Sequence, residues 1–278
     1  MQGYFNPALT GYEGSMVKGL VRNQWAGWEG APKTYFISAE LDLANLGGSS
    51  DIGKNSIGIN LLTDEFGAFR ENELVLSYST RVQISKSAQL RLGAGLNINS
   101  IRLDGTQLTT EQANDPTVMQ YFGGFAKMNV LDFNLGLSLT HPKYYVSYGV
   151  HNVNQGAMSS GDIFMEKKPR IGIAQAGFRN SLTPNLDVIV NGMWRTQSNL
   201  PANIELNTKV VFYDFIWIGG GHRVDYANNF QLGFLMKSMR LGYVYERPML
   251  KSYLLPSTSH ELMLSIGLFT KGEGRKIW

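Results

Sequence analysis

With 278 residues, no cysteine, 17% charged residues and a net charge of +3, the chain offers no thiolate, disulfide or cysteine-metal chemistry and gives little reason to expect a nucleic-acid partner. A mean hydropathy of −0.15, with no apolar run of about 18 residues, excludes a helical membrane protein. Aromatics at 12% and 31 glycines suit a barrel with interfacial girdles and closely approaching strands.

The chain opens on Met1-Gln-Gly-Tyr-Phe-Asn-Pro, without a basic region followed by an apolar core, so a signal peptide is expected to have been removed already. Residues 1–15 are expected to form an N-terminal periplasmic, plug-like segment, residues 16–269 a single barrel domain, and residues 270–278 a periplasmic tail. Strand patterns follow near 16–24, 33–42, 54–63, 70–81, 87–100, 130–140, 143–151, 169–179, 185–196, 202–212, 215–223, 228–237, 239–247 and 259–269. The period is clearest at Gln89–Asn99. There Leu90, Leu92, Ala94, Leu96 and Ile98 share one face, and Arg91, Asn97 and Asn99 share the other. A soluble sandwich alternates too, but an outer-membrane barrel turns its apolar face to lipid and its polar face inward. Fourteen is an even count, as single-chain bacterial barrels have.

The links between strands sort by length. Val82–Lys86, His141–Pro142, Asn180–Pro184, Asp214 and Ser238 are tight, whereas Ile101–Asn129, Asn152–Lys168 and Pro248–Ser257 are long; only Ala44–Gly53 departs from the alternation. The expected fold is therefore all-β: a 14-stranded antiparallel transmembrane outer-membrane barrel with short periplasmic turns, longer extracellular loops and both termini in the periplasm.

The charges falling on inward positions include Arg22, Glu73, Arg81, Arg91, Arg195, Glu205, Lys209, Arg240, Glu246 and Glu261, with Glu40 and Asp187 beside them. Mutual pairing that fills the lumen is the main expectation, because buried charges need partners; a selective pore lining is the sharper alternative. Chemistry is sparse. None of the four histidines has metal-ligand spacing, and Gly219-Gly220-Gly221 and Gly93-x-Gly95 lead into no helix that would complete a phosphate cradle. His260-Glu261 opens the last strand and is weighed as packing far above catalysis. No catalytic residue, metal site or cofactor is expected, and the protein is not expected to be an enzyme. Trp25 and Trp28 flank the first surface loop as girdle anchors or contact residues, and Tyr253 and Leu254 lie in an apolar segment of the last one.

Motifs along the chain carry a resemblance. Tyr4-Phe5-Asn6-Pro7 precedes Thr10-Gly11-Tyr12-Glu13-Gly14, and Arg22-Asn23-Gln24-Trp25 runs on to Gly30-Ala31-Pro32-Lys33-Thr34. Asp115-Pro116, Tyr145-Val146-Ser147-Tyr148-Gly149, Gly220-x-x-Arg223, Leu241-Gly242-Tyr243 and Ser259-His260-Glu261-Leu262 follow in order. The sequence resembles the PorP/SprF-type outer-membrane proteins of the type IX secretion system of Bacteroidetes. The resemblance implies a non-enzymatic barrel that helps secrete, or anchors at the cell surface, cargo such as gliding adhesins bearing a C-terminal sorting domain. Implied partners are that cargo, periplasmic ring or peptidoglycan-linked components, and outer-membrane lipid including LPS, with no nucleic acid. Contact is expected at loops holding Trp25, Trp28, Asp115, Pro116, Tyr253 and Leu254. The rival reading is a porin or a transport channel for hydrophobic ligands.

Overall fold

A computed structural model describes residues 1–46, 52–108, 119–164, 168–249 and 258–269. Fourteen strands close into one antiparallel ring: β1 (Met16–Asn23), β2 (Lys33–Asp42), β3 (Asn55–Phe66), β4 (Phe69–Gln83), β5 (Gln89–Asp104), β6 (Phe125–Thr140), β7 (Tyr144–His151), β9 (Ile171–Thr183), β10 (Leu186–Gln197), β11 (Asn203–Phe212), β12 (Ile216–Arg223), β13 (Ala227–Met236), β14 (Met239–Pro248) and β15 (Ser259–Gly267). Neighbours in sequence are neighbours in the wall, and β1 meets β15 from Met16↔Gly267 to Asn23↔His260, so no edge is left unpaired at the seam. A short β8 (Met158–Gly161) lies outside this ring. It pairs with β6 at 128–131, beyond the stretch where β6 pairs with β7.

The alternation decides which way the wall faces. Ile37, Leu61, Leu92, Leu137, Leu206 and Leu262 are exposed on the outside, as a lipid-facing belt requires. Arg91, Asn97, Asn99, Asn134 and Ser138 are buried in the interior.

Two strands run further than their sequence pattern suggests, and the expected loop 101–129 is correspondingly shorter. β5 continues to Asp104 and β6 begins at Phe125. The apolar phase reverses near one end of the barrel: Ile101, Leu103, Ala126, Met128 and Val130 are buried on the inner face, while Arg102 and Lys127 point outward and are exposed. Beyond the lipid belt the outside meets water, so the face that must be apolar switches. A pattern search tuned to one phase stops at that switch.

The tight links hold at one end, where β13 and β14 are joined through Lys237–Ser238 and β9 and β10 through Pro184–Asn185. The other end is mixed. β3 and β4 are joined there by the two-residue turn Gly67–Ala68, beside the long 105–124 and 152–170 connections.

Candidate functional site

The interior of the β3–β7 side is packed by the chain's own N-terminal segment. Residues Gln2–Phe5 form one helical turn and Pro7–Leu9 a 3₁₀ turn, whose first amide is capped by Asn6: its Oδ1 accepts from Ala8 N at 2.9 Å. Proline at the first position of that turn lacks an amide that would have no partner there. Asn6, Ala8, Leu9 and Thr10 are all buried, at 0–1% exposure.

The wall is shaped to receive this backbone. A Cβ on Gly93 would lie 2.1 Å from Ala8 N, and one on Gly136 1.9 Å from Asn6 Oδ1; both distances are below any real contact. Glycine at those points lets the segment lie directly on the sheet.

Polar side chains then hold it from all sides. Arg91 donates from Nε to Ala8 O at 2.8 Å and from Nη2 to Thr10 O at 2.7 Å. Tyr4 donates to Glu73 at 2.6 Å, Gly11 N donates to Glu40 at 2.8 Å, and the His151 ring meets Phe5 O at 3.0 Å. Glu13 pairs with Arg240 at 3.1 Å and Lys18 at 3.5 Å. Burial alone would raise the Glu13 carboxyl, but the two cations outweigh it and hold it down at about 2. Burial, reinforced by Glu73, pushes the Tyr4 phenol up.

The ten charges expected in the lumen thus divide. Glu73, Arg91 and Arg240 hold the segment: Glu73 takes the Tyr4 hydroxyl and Arg240 pairs with Glu13, while Arg91 binds backbone carbonyls, which a backbone laid against the wall brings and which must be satisfied. Arg81 pairs with Asp42 at 2.8 Å. Arg22, Glu205, Glu246 and Glu261 do pair near one mouth: Arg22 reaches Glu261 at 2.5 Å and Glu246 at 3.0 Å, while Arg223 reaches Glu246 at 3.1 Å and Glu205 at 3.4 Å. Lys209 lies over the Trp217 ring at 5.0 Å. Arg195 forms no ion pair among the described residues; it lines a mouth cavity of 380 Å³ with Trp25, Arg223, Tyr226 and Glu246.

Trp25 therefore sits at that mouth, with φ of 52° in the left-handed region, held by Ala26 N donating to Thr258 O at 2.9 Å. A bulky residue there is strained and persists only because its surroundings fix it. Trp28 is 51% exposed on the same loop. Asp115, Pro116, Tyr253 and Leu254 lie outside the described residues. His260 and Glu261 fall on opposite faces of β15: His260 meets Tyr243 Oη at 2.6 Å, whereas Glu261 turns inward to Arg22, so they do not act as a pair.

Sequence reasoning passed over Asp132. It is buried at 1% and accepts from the amides of Asn154 and Gly156, both at 2.8 Å, which pins the loop after β7. Its only trace in sequence is one acid on an otherwise neutral strand face.

A closed fourteen-stranded barrel with an apolar outer belt and its own N-terminal segment seated inside is an outer-membrane barrel. The family description "Type IX secretion system membrane protein PorP/SprF" matches residues 1–266, and the chain belongs to that family, as an outer-membrane component of type IX secretion. No curated protein matches it in sequence. Among solved structures it is similar to the toluene transporter TbuX of Ralstonia pickettii, at 12% identity over 94% of this chain and 90% of that one, with a TM-score of 0.50. It is also similar to the toluene transporter TodX of Pseudomonas putida, at 9% identity over 90% and 87% of the two chains, with a TM-score of 0.46. Such identities speak to the fold alone.

Proposed function

We propose that the protein is a plugged anchor: a rigid barrel that holds a secreted protein bearing a C-terminal sorting domain, such as an adhesin, at the cell surface. The observation that carries this reading is the seated N-terminal segment, which commits the β3–β7 side of the lumen to internal packing and leaves recognition to the loops. The strained Trp25 at the mouth cavity, with exposed Trp28 beside it, is the contact surface this reading favours, since tryptophan dominates contact energetics. In this orientation the long loops face outward. The tight turns then face periplasmic ring or peptidoglycan-linked components. Affinity isolation of the tagged barrel from its native membrane tests the proposal: a surface protein with a C-terminal sorting domain is expected to come with it, and the Trp25→Ala, Trp28→Ala pair is expected to lose it. Isolation with no such protein and no secretion component overturns the anchor reading.

A further inference from the structure

On β2 to β6 the outer face is layered in register at the end where the β3–β4 turn lies. The lowest of three successive rows is apolar: Ile37, Leu61, Leu74, Ile98 and Leu131 stand side by side on five neighbouring strands. The next row, two residues along each strand, is Tyr35, Thr63, Asn72, Ser100 and Asn129, all able to hydrogen-bond, with Thr63 donating to Asn72 at 3.0 Å. Two residues further stand Lys33, Glu65, Arg70, Arg102 and Lys127. Two residues of strand advance roughly 7 Å, so the charged row sits about 13 Å along the strands from the last lipid-facing row, at headgroup depth.

That row holds four cations and one carboxylate. Like charges directly opposite on adjacent strands repel, and Arg70, Arg102 and Lys127 are directly opposite in sequence of strands. Internal neutralisation is partial: Arg70 meets Glu65 at 3.5 Å, Asp104 lies near Arg102 and Asp162 accepts from the Lys127 amide at 3.0 Å, while Lys33, Arg102 and Lys127 form no ion pair among the described residues. Arg102 lies against the exposed Phe125 ring, 5.6 Å from its centroid. Cations lined up on neighbouring strands at this depth suit an anion that bridges those strands. Phosphate does so with charge-assisted hydrogen bonds.

We propose that Lys33, Arg70, Arg102 and Lys127 form a binding site for the phosphate groups of a phosphorylated glycolipid of the outer leaflet. Acyl chains would lie on the apolar row, sugar hydroxyls on the polar row and phosphates on the cations. The site is independent of cargo binding and rests on the membrane placement of the barrel with the end that carries the β3–β4 turn outward, the orientation of the proposed function.

The test uses the full chain in neutral detergent, with diphosphorylated lipid A as probe and bound lipid counted by native mass spectrometry. Wild type is expected to bind it, and Arg70→Gln, Arg102→Gln, Lys127→Gln together to weaken binding about a hundredfold, as about fivefold per cation multiplies out. Glu65→Gln, which removes the opposing carboxylate, is expected to tighten it; this opposite sign is readable even if the triple variant fails to assemble, as judged by heat-modified gel migration. Equal binding of dephosphorylated lipid A, equal binding of phosphatidylglycerol, or displacement by inorganic phosphate at the same concentration would each overturn the assignment. So would a triple variant that assembles and binds like wild type.

Discussion

Arg91 is the largest of the fully buried side chains, and it has no carboxylate within ion-pair distance among the described residues. Its charge is answered by the carbonyls of Ala8 and Thr10, by Ser79 Oγ at 3.3 Å and by the Tyr12 ring 5.8 Å away. Each hydrogen bond from a charged donor is worth about 1.5–3 kcal/mol, and removing the donor leaves buried acceptors bare. Arg91→Met is therefore expected to unseat the N-terminal segment while the barrel stays closed, read as protease cleavage within residues 2–14 with unchanged heat-modified migration. Gly93→Val reaches the same end by a steric route, since its Cβ meets the Ala8 backbone at 2.1 Å and a backbone atom cannot rotate aside. Gly220→Ala serves as the control, because the nearest atom to its Cβ is 3.6 Å away.

At the scale of elements, the strands were legible in the sequence because each carries its own period, and all fourteen of the ring lie where alternation puts them. What stayed hidden depends on two elements meeting. Gly93 and Gly136 look like weak strand residues until the segment around Asn6 is laid on them, and nothing local to β5 or β6 announces that contact. Arg91 and Glu73 were legible as inward charges but not as holders of the segment, because their partners, the Ala8 and Thr10 carbonyls and the Tyr4 hydroxyl, lie far away in sequence. The reversed tips of β5 and β6 escaped notice because the apolar phase changes where lipid gives way to water. The segment's own electrostatics can be tested. Glu13 is held at about 2, below the ordinary carboxylate value, so its contribution is present above the ordinary value and is lost only as pH falls through the depressed one. The segment is thus expected to stay seated from pH 7 to about 4 and to loosen between about 4 and 2. A thiol introduced at Ala8 in this cysteine-free chain reports it, by protection from a maleimide at each pH. Glu13→Gln is expected to remove that pH dependence and to raise labelling at pH 7.

Across the whole molecule, the two sides of the lumen are filled by different means. The β3–β7 side takes the N-terminal segment, whereas toward the other side Ile189, Val211 and Trp217 form an apolar cluster with Leu235 packed on it, and Asn207, Asn229 and Gln231 hydrogen-bond to one another. At the mouth, Arg22 of β1 bridges to Glu261 of β15 and Glu246 of β14, across the seam where the ring closes, and Arg223 carries the chain of pairs on to Glu205 of β11. Breaking a partly buried network at one member strands its partners, so Arg22→Ala is expected to cost about 2 kcal/mol after solvent screening, read as a lower temperature of heat-modified migration. Restoring charge balance with Glu261→Ala in addition recovers part of that loss. Such wall-side packing differs in kind from the segment, because only the segment can be removed without touching a strand. Deleting residues 2–14 is therefore expected to leave a barrel that assembles and conducts, while the full chain in the same planar bilayer does not. Equal conductance from both would show that the segment does not seal the lumen, and recognition by the loops would then have to share the molecule with a pore.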